Sequence, residues 1–489
     1  MNSFWLPLLV LLPVPAGILV MTGALKNRSL KLWFLAVVFA FETVGVLLLA
    51  THDFDPVTLF RFTSTISITL AVDKLTKLFA VVFGVIWLPV GIFAFRYMMH
   101  EHNEDLFFGF YLICEGMLLG VSMAENLITL YLFYEMVSLL SVPLVLHSRT
   151  REAITAALKY MFYSVGGAFL ALFGLFVLAG SCTTLSFAPG GTLDMAAIAG
   201  REGLVRTAAF LAVLGFGVKA GLFPLHAWLP TAHPVAPAPA SAVLSCIITK
   251  VGVIATIRMI YCLVGPDFLA GTWVQHTWLI LSLLTVFLGS MMAFREPVLK
   301  KRLAFSTVSQ VSYVLTGIFL LCPEGMTGSL LHVIFHASIK VCLFLAAGEI
   351  IFQTGKTRVE ELRGIGKTIP ITLWSFTFAS LALIGIPPFS GFVSKWYLAL
   401  GSLGSGVPTI SWLAPAILLV SALLTFGYLL PITIKGFFPG KDYNGPTKAQ
   451  DGSALMWIPV ALLALFTLLS GVCSRTLVEL AQGIARALM

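Results

Sequence analysis

Long apolar stretches separated by short polar segments run along almost the whole chain. Each is about 20 residues long, the length that an α-helix needs to cross the hydrocarbon core of a bilayer. We find about fourteen, so the pattern predicts an all-α polytopic membrane protein. The stretches begin near Phe4, Lys31, Lys77, Leu106, Leu127, Ala153, Leu204, Ala238, Val274, Lys301, Leu330, Ile371, Trp412 and Leu455.

One segment departs from this pattern. Between the second and third stretches, residues 56–73 alternate β-branched and polar side chains with a period of two. Such alternation is typical of strands with one covered face. We therefore expect a short surface hairpin at this position.

The composition excludes a soluble globular protein. Hydrophobic residues make up 58% of the chain and charged residues 11%, whereas soluble domains carry about 25% charged residues. The 30 Lys and Arg residues are spread over many loops, which argues against the basic patch that nucleic-acid binding requires. The seven cysteines include no C-x-x-C pair, so we expect neither a metal site nor another cofactor site in this chain.

The distribution of basic residues predicts the orientation. Short cytoplasmic loops collect Lys and Arg, and the loops that follow odd-numbered spans are richer in them, as at Lys300, Lys301 and Arg302. We therefore expect a multi-pass protein of the cytoplasmic membrane with both termini outside.

Several ionisable residues lie inside predicted spans. A charge at the bilayer centre costs about 2.5–3.5 kcal/mol on insertion scales, so such residues are usually paired or functional. Glu135 lies in the fifth span, Lys219 in the seventh and Lys250 in the eighth. Glu135 and Lys219 are candidates for an ion pair on neighbouring helices, and the alternative to a functional role is a pair that only fixes packing.

The eleventh span carries three titratable residues, His332, His336 and Lys340, spaced four apart. At this spacing they share one helix face, each about 6 Å from the next. A water molecule can bridge such a gap, and histidine is the side chain that titrates nearest neutrality. The spacing favours a lateral proton path, although histidines that bond to backbone carbonyls or bind a metal remain the alternative.

The seventh and twelfth spans are predicted to be broken helices. Pro224 follows Lys219 in the seventh span, and Pro387 and Pro388 precede Lys395 in the twelfth. Proline removes a backbone donor and clashes with the preceding turn. Interrupted spans in corresponding positions of two halves indicate an inverted repeat with an ion site at each break.

Other polar residues carry weaker signals. Glu42 and Glu115 are embedded carboxyl groups that either join the path or face a subunit interface or a water-filled crevice. His226 and His233 flank a proline-rich turn without a third ligand at a familiar spacing, so we reject a metal site there. Arg258 lies near the outer end of its helix, where a structural role with its head group at the membrane interface is favoured.

Four motifs carry a family resemblance: GFGVKAGLFPLHAWLPTAHPVAPAPASAVLSCIITKVG, KRLAFSTVSQVSY, HVIFHASIKVCLFLAAG and GIPPFSGFVSKW. In type and order they resemble the antiporter-like proton-translocating subunits of respiratory complex I, of energy-converting membrane-bound hydrogenases and of Mrp-type cation/proton antiporters. The resemblance covers roughly the fourth to the thirteenth spans.

We divide the chain into four units on this basis. Residues 1–103 hold spans 1–3 and the hairpin, and residues 437–489 hold span 14 and the tail. Between them lie two inverted five-helix repeats, residues 104–265 with spans 4–8 and residues 266–436 with spans 9–13.

The resemblance implies a role for each embedded residue. Glu135 matches a glutamate that modulates the lysine at Lys219, Lys250 matches a bridging residue, and Lys395 matches a residue that controls release to the outside. The proton-path residues would then be Glu135, Lys219, Lys250, His332, His336, Lys340 and Lys395, with Glu115 as a further candidate.

The resemblance also implies partners. The chain would be a pumping subunit, without redox chemistry of its own, of an NADH:quinone oxidoreductase-like or hydrogenase-like complex. Other membrane subunits and a peripheral electron-transfer arm with iron–sulfur, flavin or nickel–iron centres would accompany it in the bilayer, and H⁺ would be the ion. The alternatives are a subunit of an Mrp-type Na⁺/H⁺ antiporter without redox input, and a silent membrane scaffold.

Overall fold

Helices account for most of the chain and follow the predicted spans. The computed structural model describes residues 4–63, 66–441, 443 and 451–489. Residues 64–65 of the predicted hairpin and parts of the predicted unit 437–489 lie outside the described residues. No described helix unites two of the predicted spans.

The chain begins with three helices and a hairpin. Strands β1 and β2 pair antiparallel between the second and third helices, which confirms the predicted hairpin. The elements are α1 (Trp5–Met21), α2 (Arg28–Thr51), β1 (Val57–Arg61), β2 (Ser67–Leu70) and α3 (Lys74–Tyr97).

The helices of the predicted first repeat follow. They are α4 (Glu104–Ser122), α5 (Leu127–Val145), α6 (Arg151–Ala179), the two halves α7a (Glu202–Ala220) and α7b (Leu229–Val235), and α8 (Ala238–Val264).

The second repeat and the tail complete the bundle. Their helices are α9 (Trp273–Arg295), α10 (Leu299–Phe319), α11 (Pro323–Thr354), the halves α12a (Pro370–Ile384) and α12b (Ser390–Gly404), α13 (Ile410–Phe437), α14 (Ala454–Val472) and α15 (Arg475–Leu488).

Eleven of the described helices are long and apolar enough to span a membrane. The exceptions among the predicted spans are α1 and α12a, which are shorter, and α10, which is more polar because it carries five Ser and Thr residues. The chain is therefore a multi-pass membrane protein, and a total of fourteen spans is compatible with it.

Both predicted helix breaks are present. Helix α7a ends before Gly221, which has a φ of +76°, and α12a ends before Gly385, which has a φ of +93°. Glycine adopts this left-handed conformation without a Cβ penalty and commonly ends helices. Each following segment contains a cis peptide bond to proline, at Pro224 and at Pro388. The inverted-repeat relation between the two halves stays a prediction.

Helices α8 and α11 form the interior of the bundle. The apolar windows of both are buried along their whole length, whereas most of α6 faces outward. Helix α11 packs against α3, α10, both halves of span 12, α14 and α15. The helix with three titratable residues is thus the one most completely surrounded by protein.

Helix α15 is a feature that the hydropathy pattern did not predict. Its segment is too polar for a span, and its apolar residues recur at helical spacing, which is typical of a surface helix. The helix packs on α11 through the buried side chains of Ala481, Ile484, Ala485 and Leu488.

Arg258 links α8 to Asp73, which lies directly before the start of α3. Its guanidinium is 2.5 Å and 2.9 Å from the two Asp73 oxygens, and the residue is only 4% exposed. Burial by itself would raise the pKa of Asp73, but the Arg258 charge outweighs this effect and holds that pKa at about 2. The pair is therefore charged at every physiological pH.

Asp73→Asn should destabilise the protein. The change leaves the buried Arg258 guanidinium without its counter-charge, and we expect a loss of about 1–3 kcal/mol because charge-assisted hydrogen bonds are replaced by weaker ones. The measurement is the midpoint of thermal unfolding in detergent. Asp53→Asn is the matched control, because Asp53 pairs with Lys77 through an almost fully exposed side chain. Equal midpoints for the two variants would contradict the prediction.

Candidate functional site

Lys219 lies one residue before the end of α7a and is fully buried. Its Nζ donates a hydrogen bond of 3.0 Å to the Tyr160 hydroxyl on α6, which lies 2.7 Å from Ser141 Oγ on α5. The ammonium also lies 5.5 Å and 5.1 Å from the ring centres of Tyr134 and Tyr160. Hydroxyl groups and aromatic faces, both favourable to a cation, thus surround this lysine.

The predicted direct ion pair between Glu135 and Lys219 is absent. Within the described ranges no N···O contact of 4.0 Å or less joins the two side chains. Glu135 lies at the edge of the buried face of α5, and its Oε1 has no hydrogen-bond partner. The Tyr160 hydroxyl instead accepts the hydrogen bond of Lys219. Glu135 remains close enough to act on Lys219 electrostatically.

Lys250 and His336 make a direct contact at the centre of the bundle. Lys250 Nζ lies 2.6 Å from His336 Nδ1, and both residues are fully buried. Two π-helical stretches, 244–248 and 258–264, flank the lysine turn of α8, and such widened turns occur frequently at functional sites. This contact joins the two predicted repeats through ionisable groups.

The helices that carry Lys219 and Lys250, α7a and α8, approach each other closely. Among the described side chains no hydrogen bond joins the two lysines directly. Gly252 of α8 lies against α7a, where a Cβ would overlap the Phe216 carbonyl oxygen and lie 3.2 Å from Lys219 Cβ. Glycine at this position therefore keeps the two lysine-bearing helices in contact.

The two histidines of α11 continue the series of ionisable residues that begins with Lys219 and Lys250, which we call the line. The ring centres of His336 and His332 are 5.8 Å apart, which agrees with the predicted spacing. His332 Nδ1 lies 2.9 Å from Ser394 Oγ on α12b, and its ring stacks on Tyr313 at 5.6 Å. His332 thus contacts the residue next to Lys395.

Lys395 occupies the break of span 12. Its Nζ donates to the carbonyl oxygens of Leu383 and Ile384 at 2.6 Å and 2.9 Å, and it lies 5.1 Å from the Tyr313 ring centre. The last carbonyl groups of a helix lack intrahelical partners and carry partial negative charge. The end of α12a is therefore a binding position for this cation.

Lys340 is a branch of the line and not its next member. Although it shares a helix face with His336, its Nζ donates to the Leu303 carbonyl oxygen at 2.9 Å and to Ser306 Oγ, both on α10. The residue is fully buried. It therefore links α11 to the polar face of α10.

Glu115 lies apart from this line. It is 2% exposed on α4, and Glu42 on α2 is fully buried. Neither carboxyl group has a hydrogen-bond partner, and the two act on each other electrostatically. They form a separate carboxyl pair in the amino-terminal part of the bundle, and no described contact joins Glu115 to Lys219.

Sequence reasoning found the charged residues and missed the uncharged ones between them. Tyr160, Tyr313, Ser394 and Ser306 each contact a predicted path residue. The available signal was the run of hydroxyl residues in KRLAFSTVSQVSY, which makes α10 more polar than a span requires. Tyr160 had no such signal, because single tyrosines are common in membrane helices.

The arrangement can hold and pass protons through the protein interior. Basic side chains alternate with hydroxyl groups and imidazoles that both donate and accept hydrogen bonds. Lys250 lies 2.6 Å from His336, the ring centres of His336 and His332 are 5.8 Å apart, and His332 lies 2.9 Å from the hydroxyl of Ser394, the residue before Lys395.

Comparison with known proteins identifies the family to which this chain is similar. Residues 124–425, which include every residue of the line, match the family described as NADH:quinone oxidoreductase/Mrp antiporter, TM. The match covers more than half of the chain.

Individual relatives come from two kinds of complex. The chain is 33% identical over 392 residues to an NADH-quinone oxidoreductase subunit of Desulforudis audaxviator, covering 77% of this chain and 74% of the relative. It is 30% identical over 485 residues to a Na⁺/H⁺ antiporter subunit of Bacillus subtilis, covering 96% and 94%. A protein in the structure of the Mrp complex from Dietzia sp. DQ12-45-1b shares the fold, with a TM-score of 0.86, 24% identity and coverage of 99% and 97%.

Proposed function

The chain belongs to the family of transmembrane subunits of NADH:quinone oxidoreductases and Mrp antiporters, and we propose that it translocates protons as one subunit of a redox-driven complex. The observation that carries this proposal is the buried contact between Lys250 and His336, continued through His332 to Lys395. Buried ionisable residues in a membrane bundle mark ion paths. A protein with only a scaffolding role would not need so many buried ionisable residues.

The proposed mechanism begins at Lys219. The negative charge of Glu135 favours the protonated lysine, because an opposite charge stabilises the ammonium form. When a conformational change in a partner weakens this influence, Lys219 passes its proton toward Lys250. The proton then moves through the histidines to Lys395 for release outside.

Polar groups hold the lysines at the two ends of this route. Tyr160 holds the proton-bearing Nζ of Lys219 at one end, and the carbonyl groups of Leu383 and Ile384 receive the Lys395 ammonium at the other. Each lysine therefore has a site that stabilises its charged form. A proton moves when one site comes to stabilise its charged lysine more strongly than the other site does.

The partners follow from the family. We propose that other membrane subunits flank this chain in a cytoplasmic membrane, with both of its termini outside. Iron–sulfur, flavin or nickel–iron centres would then lie on a peripheral arm, and redox chemistry there would drive the conformational change. The complex would be NADH:quinone oxidoreductase-like or hydrogenase-like.

A second function is that of an Mrp-type Na⁺/H⁺ antiporter component without redox input. The match to the antiporter protein of Bacillus subtilis extends over 96% of this chain, beyond the match to the oxidoreductase protein. In that case a Na⁺ gradient, in place of a redox reaction, would drive proton movement along the same line of residues.

Purification of the native complex in a gentle detergent, followed by mass spectrometry, should recover subunits with iron–sulfur, flavin or nickel–iron centres together with this chain. Vesicles of the same membranes should acidify when the electron donor of those subunits is added. Recovery of small membrane subunits alone, with proton movement driven by a Na⁺ gradient, would establish the antiporter instead. Proton flux that is unchanged in Lys219→Ala and Lys395→Ala would indicate a scaffold and contradict both functions.

A further inference from the structure

A cavity lies at the loop end of the bundle, apart from the line of residues described above. Its volume is about 190 Å³, enough for several water molecules. Its lining includes Tyr97, Glu101, Ser148, Pro234, Lys300 and Thr357.

The lining residues locate this cavity on one side of the membrane. Glu101, Ser148 and Thr357 come from the segments that follow spans 3, 5 and 11, and Pro234 follows the break of span 7. These are all segments after odd-numbered spans, the side with more Lys and Arg. The charge distribution therefore assigns the cavity to the cytoplasmic side.

Lys300 is one of the residues that line this cavity. The residue is 7% exposed at the start of α10, and its Nζ donates to the carbonyl oxygens of Pro234, at 3.3 Å, and Ala236. It also lies within electrostatic range of Glu101. A charged amine is thus held against the turn that follows His233.

His233 lies directly behind this turn and is fully buried on α7b. Neither of its ring nitrogens has a hydrogen-bond partner. Its ring packs 5.1 Å from the ring of Phe344, one helical turn beyond Lys340 on α11. The ammonium groups of Lys300 and Lys340 both act on this ring electrostatically.

We infer that His233 carries protons from the cytoplasmic cavity at Lys300 to Lys340, as a second uptake step that each translocation cycle requires together with the one at Lys219. Lys340 first gives its proton to the central line and becomes a neutral amine. A proton from water in the cavity then binds one ring nitrogen of His233, and the other ring nitrogen releases its proton to Lys340. No net charge stays on the imidazole after the transfer.

This inference rests on the proposed proton translocation and assigns Lys340 the role of receiving protons from His233. Lys340 is a branch whose amine bonds to Leu303 and Ser306 on α10 and lies within electrostatic range of His336. A branch that receives protons from a separate cytoplasmic source explains why a third buried lysine lies beside the line. It also predicts that the loss of either uptake step lowers the flux through the whole line.

The test compares two substitutions of His233 in the complete complex. His233→Gln keeps a polar side chain of similar size but has no titratable proton, whereas His233→Glu has one. In everted vesicles, where the cytoplasmic face is outside, we expect proton uptake to fall about tenfold or more in His233→Gln, because a positioned proton carrier is lost. We expect His233→Glu to retain several times more flux than His233→Gln. His276→Gln is the control, because His276 bonds to the Thr272 carbonyl oxygen at the other end of the bundle.

The outcomes separate this inference from the proposed function. If His233 has only a structural role, the neutral His233→Gln should be the better tolerated variant, and that ranking would overturn the inference. Wild-type flux in His233→Gln, with flux abolished in Lys395→Ala, would overturn the inference and leave the proposed function intact. Absence of proton movement in the wild-type complex would overturn both. Copurification of partner subunits shows that each variant has assembled.

Discussion

Lys219→Ala should abolish proton translocation and leave the complex assembled. We expect flux to fall by about a hundredfold or more, the usual effect of removing a group that transfers a proton. Assembly should survive because the Tyr160 hydroxyl keeps its bond to Ser141, so the change strands no buried hydroxyl group. The measurement is proton uptake by everted vesicles, with the amount of copurified partner subunits as the readout for assembly.

Two further variants test the local geometry around Lys219. Tyr160→Phe removes the hydroxyl that receives the Lys219 hydrogen bond but keeps the aromatic face 5.1 Å from the ammonium. We expect an intermediate flux, because the cation keeps part of its stabilisation. Full flux in Lys219→Ala would exclude this lysine from the path, whatever the result for Tyr160→Phe.

Hydropathy predicted most of this fold because the bilayer imposes it. A membrane helix must satisfy its own backbone hydrogen bonds over a fixed length, which leaves few solutions to the pattern of apolar stretches. The breaks at Gly221 and Gly385 were predictable for a related reason, since proline in an apolar span has a defined cost. Helix α15 was missed because a surface helix obeys neither constraint.

The site was predicted less completely than the fold. Charged residues stand out in a membrane span because they are costly there, so Lys250, His336 and Lys395 were found. Which partner each one selects depends on side-chain direction, which spacing along the chain does not determine. Lys219 therefore bonds to Tyr160 and not to Glu135.

His233, which we rejected as a metal ligand, is fully buried, and neither of its ring nitrogens has a hydrogen-bond partner. His233 lacks a third ligand for a metal, and this remains sound as an argument against a metal site. It was no argument against a role in proton transfer, because a proton carrier needs neighbours on two sides and not a coordination shell. Those neighbours, Lys300 and Lys340, come from helices that are distant in sequence.

The second large effect is expected at the contact between the two repeats. Lys250→Met keeps the length of the side chain and removes the amine that lies 2.6 Å from His336 Nδ1. We expect a loss of flux of about a hundredfold, because this step has no other described ionisable pair. The methionine should pack well in the fully buried position, so the complex should assemble normally.

The control for this change is Lys301→Met. Lys301 pairs with Glu296 through a side chain that is 39% exposed, and exposed pairs contribute little. Lys250→His restores a titratable group close to His336 and should recover part of the flux. If Lys250→Met translocates protons at the wild-type rate, protons pass between the two repeats by a route that does not use this contact, and the prediction is wrong. If Lys250→His exceeds Lys250→Met, proton transfer through this position, and not its packing, connects the repeats.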